Sequence, residues 1–264
     1  MENKKLSFLL VGFVILSLFA VVQFAYATPS GSTITVGNST SAPVDPAGSS
    51  AAQAGNVTEL TLTGRTTTAT WQGYFGNVTG VIQLADGSSH VMYNWSQANP
   101  SGEVYASTNQ TIFWTNIQCL NYTSTGTYAG EAGNGGQTSK YGTNLTQLQN
   151  MFGISATDAD SVSQTFNLVG AGTHNQFYTA SQQFNAGQCQ NTRVYDSSGT
   201  GVDNKFEEAL LYEPVSTSVV FTSLLNQDAS GFDSKTHDFE MLVLENGHGA
   251  DVATTPYYFF VELQ

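Results

Sequence analysis

From Val57 onward, short runs of alternating apolar and polar residues are separated by Gly, Asn and Asp. Six come early: Val57 to Leu62, Thr67 to Phe75, Val78 to Leu84, His90 to Trp95, Glu103 to Ala106 and Thr111 to Ile117. Six more come late: Gln176 to Phe184, Arg193 to Tyr195, Phe206 to Tyr212, Ser218 to Leu225, Phe239 to Leu244 and Tyr257 to Leu263. A period of two turns one side of an extended chain toward a core. Val, Ile, Thr and aromatics fill the runs, and Asp86-Gly87 is a hairpin signal. Strands this short and numerous predict an all-β sandwich of jelly-roll-like character, a single domain over 57–264. Two short helical pieces interrupt it. Leu145, Leu148, Met151 and Phe152 recur at helical spacing behind a cap at Thr143 or Asn144, and an acid-capped turn is expected over Asp158 to Phe166.

The N-terminus has a different address. Lys4-Lys5, the apolar run Leu6 to Val22 and the small-residue site Ala25-x-Ala27 make a secretory signal over 1–27, cleaved after Ala27. Left uncleaved, the same segment is an N-terminal membrane anchor, the one contact with a membrane that the sequence provides for. Residues 28–56 are rich in Gly, Ser, Thr, Pro and Ala and read as a tail and linker. The island Thr33, Ile34, Thr35 and Val36 has strand character. It serves either as an ordinary first strand or as a strand donated to the sheet edge of a neighbouring molecule.

An exported address gives the remaining composition its meaning. Cys119 and Cys189 are the two cysteines, and outside the cytoplasm an even pair predicts one disulfide. Sequons stand at Asn38, Asn56, Asn77, Asn94, Asn109, Asn121 and Asn144, all before the chain's acidic second half. The net charge is −13, and past the signal the cations are Arg65, Lys140, Arg193, Lys205 and Lys235. Such a surface repels phosphate backbones, which sets nucleic acid aside as a partner.

The chemistry-bearing candidates follow from the same acids. No motif calls for a cofactor, and calcium is the ion the acidic loops would suit. Asp228 and Asp233 bracket a Ser-Gly turn, Asp238 follows nearby, and the loop Asp196 to Asn204, with Asp203, adds carboxylates. The histidines His90, His174, His237 and His248 form no zinc-protease spacing, although His237 and His248 are placed to meet across a hairpin. No nucleophile elbow, phosphate loop or dinucleotide fingerprint is present. Phe239-Glu240-Met241-Leu242-Val243 has a faint likeness to the nucleophile strand of jelly-roll β-glucanases. Glu240 with Glu208 would serve retaining hydrolysis if both faced one cleft about 5 Å apart, with Trp71, Tyr74 and Trp95 stacking on sugar rings. Against this, strand alternation puts Glu208 on one face with Phe206, Leu210 and Tyr212, which fits a cleft poorly.

Several blocks resemble a group of uncharacterised secreted archaeal proteins. They are Thr70-Trp71-Gln72-Gly73-Tyr74-Phe75-Gly76-Asn77-Val78-Thr79-Gly80, Met92 to Trp95, Pro100 to Ala106 and Trp114 to Cys119. Later ones are Leu210 to Glu213, Gly231 to Phe239 and Tyr257 to Leu263. The resemblance implies an archaeal secreted or cell-surface protein and assigns no catalytic residue. Together these features lead to the expectation of a non-catalytic structural or adhesive surface protein. Its partners would be copies of itself, other surface proteins or glycans. A carbohydrate-binding module or jelly-roll glycoside hydrolase is the alternative.

Overall fold

The computed structural model describes residues 27–97, 100–120, 122, 145–245 and 254–264. The signal segment, apart from Ala27, lies outside them, as do Asn121, Asn144 and His248. In chain order, the first five strands are β1 (Ser30–Gly31), β2 (Trp71–Gly76), β3 (Gly80–Ala85), β4 (Val91–Gln97) and β5 (Gly102–Ser107). The next five are β6 (Gln118–Cys119), β7 (Phe177–Thr179), β8 (Gln182–Phe184), β9 (Asn191–Tyr195) and β10 (Gly201–Glu213). The last five are β11 (Ser218–Leu224), β12 (Ala229–Ser230), β13 (Thr236–His237), β14 (Phe239–Leu244) and β15 (Tyr258–Leu263). Two short helices, α1 (Leu145–Met151) and α2 (Val162–Thr165), complete an all-β sandwich.

The main sheet runs β1-β15-β5-β11-β10-β6, with β9 also paired to β10. Alternation along its central strands divides two cores. Val104 and Ala106 of β5, Leu210 and Tyr212 of β10 and Phe221 of β11 face one side. There they meet Met241, Val243 and Leu244 of β14, with Leu148, Phe152, Val162 and Phe166 from the helical region. Tyr105, Ala209, Leu211 and Val220 face the other side, against Trp114, Ile117, Phe177 and Phe184. The central strands are thus covered on both faces, which is why β10 is buried without a break from Phe206 to Glu213.

The disulfide forms as expected: Cys119 at the start of the second core joins Cys189, with Cα atoms 5.1 Å apart. Closing a loop of 70 residues restricts the unfolded chain, worth about 4 kcal/mol on the chain-entropy account.

Several expected elements differ: Gln176 to Phe184 splits into β7 and β8, paired as a hairpin, and the N-cap of α2 is Ser161 rather than an acid. Val57 to Leu62 is exposed and unpaired, so the compact body begins at the buried Thr70. Thr111 to Ile117 forms a single 3-10 turn at Trp114–Asn116, because Ile112, Trp114 and Ile117 all turn into the second core. Thr33 to Val36 is exposed and forms no strand; the pairing falls on Ser30–Gly31. Just upstream, Pro29 is the one buried residue from Ala27 to Ala69.

Candidate assembly surface

The edge of the main sheet is β15, and β1 lies on it. Ser30 pairs with Val261 and Gly31 with Phe260. Both the amide and the hydroxyl of Ser32 donate to the Phe259 carbonyl, each at 3.1 Å. Residues 33–69 then run exposed to the compact body. The ladder of β1 pairs two of the six residues of β15, and the Ser32 bonds carry the contact on to Phe259.

Behind that edge lies a buried polar cluster. Glu262 of β15 stands opposite Glu103 of β5 in the register, and both are buried. The Tyr105 hydroxyl donates to Glu262 Oε2 at 2.9 Å, and the Ala180 amide donates to both oxygens of the same carboxylate. Desolvation pushes the Glu262 carboxyl up to about 7. Desolvation and then the facing Glu262 carboxylate raise Glu103 well above its ordinary range. Two like charges in a dry site cannot both ionise cheaply, so the pair favours holding a proton.

At its C-terminal end, β15 also seats the β3–β4 hairpin. Gln97 Nε2 and Ser101 Oγ both donate to the Gln264 carbonyl at 2.8 Å. Gly80 lies so close to Leu263 that a Cβ there would overlap its Cδ1. Beyond this root the hairpin is a separate two-stranded sheet.

The acidic loops are organised by backbone amides. Asp238 is buried and accepts from the amides of Val78 (2.8 Å) and Asp228 (3.0 Å), tying two loops together. Asp233 Oδ1 accepts from the Lys235 amide and bonds His237 Nε2, and its other oxygen lies 3.3 Å from Lys235 Nζ. Asp228 thus meets Asp238 through its amide, Asp233 is engaged with Lys235 and His237, and among the described residues no group of three or more such side chains is arranged to hold a metal. In the second acidic loop, Asp196 accepts from Ser198, and Asp203 pairs with Arg193 at 2.7 Å.

Glu208 and Glu240 are likewise buried. Glu208 accepts from the Leu242 amide and Glu240 from the Phe232 amide. Trp71 and Tyr74 pack on the first core, whereas Trp95 is half exposed on the hairpin. His90 pairs with Asp86 at the hairpin turn, and the buried His174 accepts from the Cys189 amide. Among the sequons, Asn38, Asn56, Asn77 and Asn94 are exposed. Asn109 instead uses its Nδ2 to donate to Ser218 Oγ at 3.0 Å.

Pro29 is the sequence signal that alternation alone does not reveal. A proline beside the expected cleavage site marks a rigid, donor-free residue at a strand edge. No family model, curated protein or solved structure matches the chain.

Proposed function

We propose that this is a non-catalytic extracellular structural or adhesive protein that assembles by passing its N-terminal strand to the sheet edge of a neighbouring copy. The observation that supports this reading most is the attachment of β1. Pro29, two paired residues and the Ser32 bonds hold it, and an exposed stretch over 33–69 joins it to the body. That stretch spans on the order of 120 Å when extended. The contacts of β1 with β15 can be made to a second copy at little cost, since the same groups are paired in either arrangement. A head-to-tail exchange of this kind does not close on itself unless the rotation happens to complete a ring, so it builds filaments. Signal cleavage after Ala27 would leave Pro29 as the second residue of the mature chain, at the end of the exchanged strand.

The test is electron microscopy and size determination of the mature chain, Thr28 to Gln264, beside a chain lacking Thr28 to Val36. Filaments or lattices are expected from the first and monomers from the second. Assembly that survives the deletion overturns the reading.

A further inference from the structure

We propose that the linker over 33–69 is a glycosylated stalk whose Ser and Thr hydroxyls carry O-linked sugars. The inference rests on the extracellular reading but not on strand exchange. Thirteen of the linker's residues are Ser or Thr, most of them within Thr33 to Ser41 and Thr58 to Thr68, with Pro43 and Pro46 between. Ser/Thr-rich stretches with Pro have the composition of O-glycosylated stalks. The structure sets these hydroxyls apart from those of the body. Every residue from Thr33 to Ala69 is exposed. Among the described residues, Thr68, which donates to Asp160, is the one linker Ser or Thr with a hydrogen-bonded hydroxyl. In the body, by contrast, Ser107 donates to Val219, Thr165 to Ser161, Thr173 to Gly170 and Ser223 to Glu240. A glycosyltransferase must draw the acceptor hydroxyl into its own active site. An exposed chain outside any sheet ladder allows this, and a buried, bonded hydroxyl does not.

Sugars would also answer two physical problems of the bare linker. Charge is sparse. Asp45 and Arg65 pair with each other, which leaves Glu59 as the one unpaired charge of the stretch among the described residues. With so little charge to extend it, a chain of this composition and length behaves as a coil averaging roughly 30 Å end to end, far short of its extended span. Apolar groups are also left in water: Val36, Val44, Val57 and Leu62 are each at least 81% exposed. Sugars along the chain cover such groups with hydroxyls and hold it extended by their bulk. They also deny a protease the exposed backbone. That protection matters because the linker lies outside the loop closed by Cys119 and Cys189, so one cut in it leaves β1 with no covalent tie to the body. In each transfer, the Ser or Thr Oγ attacks the anomeric carbon of a sugar carried on a nucleotide or lipid phosphate. The new oxygen–carbon bond forms as the bond from that carbon to the phosphate oxygen breaks. The hydroxyl proton passes to a base of the transferase, and the phosphate leaves with the electron pair.

The test uses the chain as its own host exports it, with Asn38→Gln and Asn56→Gln removing the N-linked sites of the linker. Trypsin cuts after Arg65, the first cation past the signal, and gives the fragment that ends there, starting from Thr28 in the mature chain. Its mass is expected to exceed that of the bare peptide by several hexose- or hexosamine-sized increments. Mild alkali should remove them and leave dehydrated residues at the former Ser and Thr sites, which fragmentation should place within Thr33 to Thr63. An exported fragment at its bare mass overturns the inference and leaves the extracellular reading standing. Phosphate-sized increments, or increments that withstand alkali, also overturn it. A chain found only inside the cell overturns both.

Discussion

Glu103 and Glu262 stand directly opposite each other across β5 and β15, buried together beneath the hydroxyl of Tyr105. Their carboxyls are pushed up by burial, with Glu262 reaching about 7. The folded state therefore binds more protons than the unfolded state between the ordinary glutamate range and about pH 7. The stability this supplies is fully present below the unfolded value and is lost as the pH rises through the folded one. The melting temperature is expected to be higher at about pH 5 than at about pH 8. Glu262→Gln should narrow that difference, since the amide oxygen still accepts from Ala180 and no charge forms. An unchanged pH profile in the variant would place the titration elsewhere.

Pro29 should govern the hold on β1. Pro29→Ser removes the one buried side chain of the tail, and Ser32→Pro removes the amide that donates to Phe259. Either change is expected to raise the protein concentration at which filaments form, with little effect on the melting temperature of the body. Light scattering against concentration measures the first and thermal denaturation the second.

Asp238 acts as a strut between loops. Asp238→Ala leaves the amides of Val78 and Asp228 without their acceptor, at a cost of about 2–3 kcal/mol. The loss should be equal in calcium and in chelator. A loss confined to calcium would show that a cation shares the site.

Removing the disulfide with Cys119→Ser and Cys189→Ser together should lower stability by up to about 4 kcal/mol in denaturant unfolding. The midpoint should move more than the hydrophobic packing alone would explain, because the bond spans 70 residues.

If the chain is exported and glycosylated, occupancy at Asn38, Asn56, Asn77 and Asn94 should exceed that at Asn109. The nitrogen that would carry the sugar on Asn109 is committed to Ser218. Glycopeptide mass spectrometry measures this directly, and high occupancy at Asn109 would show that the 107–111 turn opens before modification.

The β architecture was legible because alternation and turn residues are local signals. Phe239 to Leu244 and Tyr257 to Leu263 fall within a residue of β14 and β15, and Asp86-Gly87 does turn the β3–β4 hairpin. What stayed hidden depends on partners distant in the chain. Glu262 accepts from Ala180, 82 positions away, and nothing near either residue marks the pair. In the sequence, the loop acids after Asp196 suit calcium. The buried acids from Asp196 onward each accept from a backbone amide. Thr33 to Val36 has the β-branched residues that favour strands, yet the pairing falls upstream at Ser30 and Gly31, where no β-branched residue marks it.

The bond between Cys119 and Cys189 has a consequence for proteolysis. A peptide bond cut anywhere between them leaves both fragments covalently joined, with β5 on one and β10 and β11 on the other still knit in one sheet. A cleaved molecule would keep its two fragments and its edge strand together, and reduction would be needed to separate them.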